Sequence, residues 1–284
     1  MIGHLYPRRA AARALLVLPL TFSAAGSQEA EPPSPPTESV PLFRSRDLAY
    51  AGIVALGTVA VAPLDKRFAD FLQGNWQTRR TLRRLSYVVE TITQPGAWFI
   101  GGGLFVAGKV FDSRAMTDLG LHGSEAIAIG LAFTTVVKMT AGRARPYVDR
   151  DRPHDFKLMR GLNEERYRSF PSGHSLIAFA AATVAARETH RWWPEAQWIV
   201  EPTMYGGATL VALSRMYDNK HWASDVIMGS ALGVLSGSKV YRFHHLRPPS
   251  KLDRWLIGAS LVPADAGGWA LRWLAMPDLR PAPD

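Results

Sequence analysis

The sequence contains no cysteine, which excludes disulfides, a thiolate nucleophile and thiolate-bound zinc together. Acidic residues are also short. Asp and Glu number 24 against 33 Lys and Arg, so the surface favours anionic partners: phosphorylated molecules, acidic lipid headgroups or nucleic acid. Charge by itself does not choose among them. There is no internal repeat and no Gly-rich loop of the kind that opens a Rossmann or P-loop helix. The run Gly101-Gly102-Gly103 sits within an apolar segment, where helix packing explains it better than phosphate binding does. A mean hydropathy of −0.04 is low for a polytopic membrane protein.

At 284 residues and 47% apolar content, the chain is long enough for one substantial core with appendages. Arg8, Arg9 and Arg13 precede a short apolar run from Ala14 to Phe22 and then Ser23-Ala24-Ala25-Gly26. That order reads as a secretory signal peptide over residues 1–26, with export to the periplasmic side of a bacterial inner membrane. An uncleaved anchor is the alternative, disfavoured because about ten apolar residues span a bilayer poorly. Residues 27–46 read as a linker, since 30–41 hold five prolines without apolar periodicity. The folded domain is expected over 47–245 and a tail over 246–284.

Within that domain the pattern is helical throughout. Residues 48–64 form an uncharged stretch between Asp47 and Asp65, expected to be buried all round as a core helix or a marginal span. Phe68, Phe71, Leu72, Leu82, Leu85, Val89 and Ile92 follow at helical spacing, opposite Arg79, Arg80, Arg83 and Arg84. A solvated face is the plainer reading of those arginines, a headgroup surface the other. Apolar segments at 91–108, 119–137, 175–186, 202–213 and 226–238 complete the set. Their Gly, Ala and Ser content permits close packing. The last three have short uncharged runs, nearer to core helices than to spans. Residues 254–262 and 269–275 flank a turn and predict a terminal β-hairpin.

Three separated clusters carry the chemistry. In KMTAGRARP, Lys138 and Arg145 fall on nearly one face if a helix runs through both. In PSGH, Ser172 is placed to cap a helix whose free N–H groups make an anion site, and Gly173 lets a ligand approach closely; His174 follows. In SRMYDNKHWASD, His221 and Asp225 are one helical turn apart, so the carboxylate can orient the imidazole, and Arg215 adds a third cation. Fixed cations and amides can stand in for a metal on the equatorial oxygens of a transferring phosphoryl group. A neutral imidazole then suits nucleophilic attack, which fits His221. A protonated one suits delivery of a proton to the leaving group, which fits His174.

Taken together, the clusters resemble the signature of the type 2 phosphatidic acid phosphatase superfamily, shared by bacterial class A acid phosphatases, lipid phosphatases and vanadium haloperoxidases. Eleven fixed positions match between Lys138 and Asp225; residues 1–90 and 245–284 lie outside the resemblance. It implies an all-α bundle of about six helices with the site at one end. By the same resemblance Lys138, Arg145, Ser172, Gly173 and Arg215 bind phosphate, His174 is the acid, and His221 forms a phosphohistidine supported by Asp225. No metal or other cofactor is expected. The implied activity is a phosphatase acting on a phosphorylated lipid or small molecule, with membrane association and no nucleic-acid partner. A soluble periplasmic acid phosphatase and a vanadium-dependent haloperoxidase are the alternatives. The remaining histidines read as structural or surface groups, His122 with Glu125 as a satisfied buried pair, and Arg143 as a supporting surface charge.

Overall fold

The protein is described by a computed structural model over residues 42–74, 80–246, 259–263 and 269–273. The expected signal peptide, and the linker up to residue 41, lie outside the described residues. Helix α1, Ser45–Val61, passes through a 3-10 turn at Ala62–Leu64 into α2, Asp65–Gln73. Helix α3, Arg80–Thr91, is joined to α4, Ala97–Val110, across a kink. There Gln94 is extended (φ −151°, ψ 115°) and Pro95 has no N–H to offer a helical ladder. Then come α5, Arg114–Ala141, α6, Gly173–Trp192, α7, Gln197–Tyr217, and α8, Ala223–His245. Strands β1, Ala259–Pro263, and β2, Trp269–Trp273, pair antiparallel with Leu261 opposite Leu271, as the hairpin pattern predicts. The all-α expectation holds, and fusing α1 with α2 and α3 with α4 returns the expected six rods.

Helix α6 is the centre, packed against α5, α7 and α8. Its core side chains Leu176, Ile177, Ala180 and Val184 meet Ala126 and Ile127 of α5 and Val240 of α8. The α6–α8 contact is so close that a Cβ at Gly229 would lie 2.3 Å from the Ser172 carbonyl oxygen, and one at Gly233 would lie 2.5 Å from that of Leu176. The small-residue content noted in the sequence therefore has a specific use on α8. Because α5 runs one way and α6 and α8 the other, the C-terminus of α5 and the N-termini of α6 and α8 come together at one end of the bundle.

Two expectations need correction. The stretch 48–64 is not buried all round: Leu48 is 78% exposed and Leu56 72%, with Ile53 and Val59 also open. Uncharged composition marks a helix that avoids water, but not whether protein or something else covers it. Second, α6, α7 and α8 run 20, 21 and 23 residues, well beyond their uncharged runs, because charged residues are carried at the helix ends. At 1.5 Å per residue each is about 30–35 Å long.

The close α6–α8 contact makes a direct prediction. Gly233→Ala should lower stability by about 1–3 kcal/mol, the usual cost of overpacking. Gly102→Ala, where an added Cβ meets nothing within 4 Å, should be neutral or stabilising by up to about 1 kcal/mol. Thermal unfolding of the two variants reads the difference, and equal melting temperatures would contradict the packing described.

Candidate active site

Helix α5 ends at Gly142, which is left-handed at φ 57° and donates its N–H to the Lys138 carbonyl at 3.3 Å. Lys138 and Arg145 therefore do not share one helical face, as their spacing suggested. Arg145 sits in the irregular segment beyond the turn, its N–H bonded to the Arg166 carbonyl at 3.0 Å. Both cations nevertheless act electrostatically on His174 and His221, so the chain brings them to one place by turning back rather than by helical repeat. Lys138 Nζ donates to the Arg168 carbonyl at 2.8 Å. Arg145 Nη2 pairs with Glu165 at 3.1 Å, while its buried Nε has no partner among the described residues.

Ser172 caps α6 as expected, its Oγ accepting from the Ser175 N–H at 3.4 Å and from Ser175 Oγ at 2.9 Å. The Ser172 N–H itself is bonded to the Asp225 carbonyl at 2.9 Å, which ties the start of α6 to the start of α8. A Cβ at Gly173 would touch Lys138 Cε at 3.7 Å, so the lysine stem lies directly over this turn. His174 is half-buried on the first turn of α6. Burial and the positive charges of Arg215, Lys138 and Arg145 oppose a proton on it, while Glu90 favours one.

His221 is 4% exposed, in the loop between α7 and α8. Its Nδ1 lies 2.7 Å from the Ser169 carbonyl. A carbonyl only accepts, so Nδ1 carries the proton and Nε2 is left with its lone pair in the neutral ring. Asp225 Oδ2 is 3.6 Å from the same Nδ1, close enough for charge but not for a hydrogen bond. The carboxylate thus reaches His221 chiefly through Ser169, whose Oγ donates to Asp225 Oδ2 at 2.5 Å. Burial pushes the His221 imidazole down to about 3; Asp225 works against that shift, and the Lys138 and Arg145 charges reinforce it.

Asp225 is itself fully buried and saturated with donors. The Trp222 N–H reaches Oδ2 at 2.9 Å and Arg143 Nη1 reaches Oδ1 at 2.5 Å. Arg143, expected at the surface, is 1% exposed. It lies between Asp225 and the equally buried Asp65 at the start of α2, which it meets at 2.7 Å. Asp65 also accepts from the Ser224 N–H at 2.9 Å and Ser224 Oγ at 2.6 Å. Asp65, Ser169 and Ser224 were not among the expected site residues. Asp65 ends the apolar stretch that forms α1 and opens α2, and nothing local in the sequence marks it as the partner of a residue 159 positions downstream.

Arg215 is 1% exposed near the end of α7. Its Nη1 pairs with Glu90 of α3 at 3.1 Å and its Nη2 donates to Asp218, while Nε has no partner among the described residues. Ser86, a turn before Glu90, donates to Asp218 at 2.6 Å. Helix α3 therefore leans on the site, setting Glu90 against its third cation and holding Asp218, just past α7, through Ser86, a feature that its amphipathic pattern did not reveal.

Comparison with known proteins follows this geometry. A model of the PAP2 superfamily matches residues 121–249. Lipid A 1-phosphatase of Porphyromonas gingivalis is 40% identical over 76 residues, 26% of this chain and 16% of that protein. Undecaprenyl-diphosphatase of Sulfolobus acidocaldarius is 30% identical over 133 residues, 46% of this chain and 61% of that one. Diacylglycerol pyrophosphate phosphatase 1 of Saccharomyces cerevisiae is 31% identical over 137 residues, 39% and 46%. The chain thus spans less than two thirds of the length of each of these relatives. A transmembrane PAP2 type phosphatidylglycerolphosphate phosphatase from Bacillus subtilis has the same fold at a TM-score of 0.55 and 22% identity, over 70% of this chain and 96% of that one. The matched span holds all three clusters, most of α5 and the whole of α6 and α8, and over that span the chain is similar to the PAP2 superfamily.

Proposed function

We propose that this chain is a phosphatase that hydrolyses a phosphate monoester or diphosphate of a lipid, without a metal ion, through a phosphohistidine on His221. The observation that carries this reading is the state of His221. Its Nδ1–H is committed to the Ser169 carbonyl, and burial disfavours protonation of the ring. The remaining Nε2 lone pair belongs to a neutral imidazole acted on by the charges of Lys138 and Arg145. Those cations, with Arg215 and the N-terminus of α6 at Ser172 and Gly173, supply the positive potential that a phosphoryl group requires.

In this mechanism Nε2 attacks phosphorus while the bond from phosphorus to the leaving oxygen breaks. The oxygen takes the electron pair, and His174 delivers its proton to it. Binding of the anionic phosphate offsets the cations that oppose a proton on His174, so the acid is charged when substrate is present. Water then attacks the phosphohistidine, His174 takes the water's proton, and the P–N bond returns its pair to Nε2. Asp225 and Ser169 act as positioning groups, holding one tautomer of His221 through both steps.

A lipid substrate is supported by where the site sits. The continuous rod of α1 and α2, Ser45–Gln73, and helix α5 are long and apolar enough to cross a membrane, and much of the apolar surface of α1 is exposed. Water does not tolerate a contiguous apolar face of that extent. An apolar cavity of about 280 Å³ between α1, α5 and α8 begins at Phe170 and Pro171, immediately before the Ser172 anion site. Exposed Arg83 and Arg84 on α3, beside exposed Leu85 and Val88, suit an anionic headgroup layer at the same end. The three relatives named above are called phosphatases of lipid A, undecaprenyl diphosphate and diacylglycerol pyrophosphate. The signal-like N-terminus supports a site on the outer face.

Activity should survive EDTA and be inhibited competitively by vanadate; loss in EDTA with recovery in Mg²⁺ would end the metal-free reading. A panel of phosphatidate, phosphatidylglycerol phosphate, undecaprenyl diphosphate and p-nitrophenyl phosphate should favour the lipids. His221→Ala should be inactive on all four. His174→Ala should lose the poor alkoxide leaving groups yet release a burst of p-nitrophenol, with label trapped on His221 after acid quench. Label on His174 instead would reverse the two roles.

The depressed His221 predicts a pH dependence. A folded pKa near 3 leaves the nucleophile neutral well into acid. The acid limb of kcat/KM should therefore lie below about pH 5, not at the ordinary histidine value near 6.5. The unfolded imidazole takes up a proton that the folded one refuses, so this residue's contribution to stability is present above about pH 6.5 and lost as pH falls toward 3. His221→Asn should flatten that part of the stability profile, as read by thermal unfolding across pH.

A further inference from the structure

A second cluster of metal-ligating side chains lies far from the site just described. His122 of α5, Glu188 of α6 and His245 of α8 converge near the other end of the bundle. By helical rise, His122 is about 24 Å along α5 from Lys138, and Glu188 about 21 Å along α6 from His174. His122 is 1% exposed, Glu188 is completely buried, and the His245 side chain is 9% exposed. His122 Nδ1 lies 2.7 Å and His245 Nε2 2.8 Å from the same oxygen, Glu188 Oε1.

The hydrogen bonding of this cluster does not close. Both imidazoles converge on Oε1, while Glu188 Oε2 and His122 Nε2 are buried without a partner among the described residues. A buried carboxylate oxygen without a donor is a costly group in an interior, unless something of positive charge meets the cluster. Asp118, one turn before His122 on α5, adds negative charge that acts on the same groups, with Arg191 opposing it. His244 stacks on the His122 ring at 4.1 Å and bonds through Nε2 to Glu125 at 2.6 Å. The expected His122–Glu125 pair is thus exchanged for two pairs across helices.

We propose that His122, Glu188 and His245 form a binding site for a divalent transition-metal ion, zinc by donor type, that staples α5, α6 and α8 at the end remote from the phosphate-binding residues. Two imidazole nitrogens and a carboxylate are a standard zinc donor set with a fourth position open to water or another donor. The facing atoms all lie within 4.8 Å of one another. An ion at 2.0–2.1 Å from each requires them to stand about 3.3 Å apart in tetrahedral geometry. A small rotation of the Glu188 carboxylate would open the two short contacts to that spacing. The lack of cysteine restricts such a site to nitrogen and oxygen donors, which these three residues supply.

The test uses full-length protein, stripped with EDTA and dialysed against ZnCl₂, with metal measured by mass spectrometry. Wild type and His221→Ala should each retain about one zinc per chain. Glu188→Gln and His245→Asn should retain less than a tenth of that. His245 is partly exposed, so its variant tests the site even if the Glu188 change prevents folding. X-ray absorption should show nitrogen or oxygen neighbours at about 2.0–2.1 Å. Zinc should raise the melting temperature of wild type but not of His245→Asn. Turnover at 25 °C should persist in EDTA, so failure of this site and failure of the metal-free hydrolysis are read separately. No retained zinc in wild type, undiminished zinc in His245→Asn, or its loss in His221→Ala would each overturn the proposal. The first outcome would leave the cluster as histidine–carboxylate packing alone.

Discussion

The buried guanidinium of Arg143 is the constraint around which the catalytic end is arranged. A charge with 1% exposure persists only with full compensation, and Arg143 obtains it from Asp225 on α8, Asp65 on α2 and the carbonyl of Pro153. Removing one partner of such a network typically costs about 3–5 kcal/mol, because the other charges stay buried. The same contacts decide where Asp225 points, hence where Ser169 points, hence which nitrogen of His221 is free. Stability and preparation of the site depend on the same few hydrogen bonds.

The bundle supplies the rest by close packing of the parallel pair α6 and α8. Glycines on α8 let it approach the backbone of α6, and the Ser172 N–H then bonds directly to the Asp225 carbonyl. That single backbone bond sets the first turn of α6 beside the His221 loop. Against this rigid pair, α3 is a different sort of element. It reaches the site through Glu90 and Ser86 and presents exposed arginines and apolar residues on its other side. Contact with Arg215 and the exposed arginines lie on one short helix, so whatever binds the outer face of α3 is linked physically to Arg215.

The two ends of α5, α6 and α8 also differ in kind. At one end cations gather around a histidine held neutral by burial; at the other, histidines and carboxylates gather without a matching number of donors. The first arrangement suits an anion and, on the proposal above, the second a cation. Both use the same three helices, so a bound ion at the far end would restrain the spacing that the catalytic end requires.

Much of this protein is determined by local sequence. Helix identity follows from apolar composition and caps: Ser172 opens α6 where capping chemistry places it. The three clusters are legible because their charged and imidazole groups fall in short, dense motifs. What the tertiary structure decided is everything that depends on one segment meeting another far along the chain. Arg143 looks like a surface charge until Asp65, 78 residues away, is folded onto it. Ser169 looks like loop until its carbonyl and hydroxyl are seen between His221 and Asp225. Helical spacing put Lys138 and Arg145 on one face, yet a left-handed turn at Gly142 joins them by another path. Local propensity acts over a few residues, whereas the burial of charge is settled only when all the partners are in place.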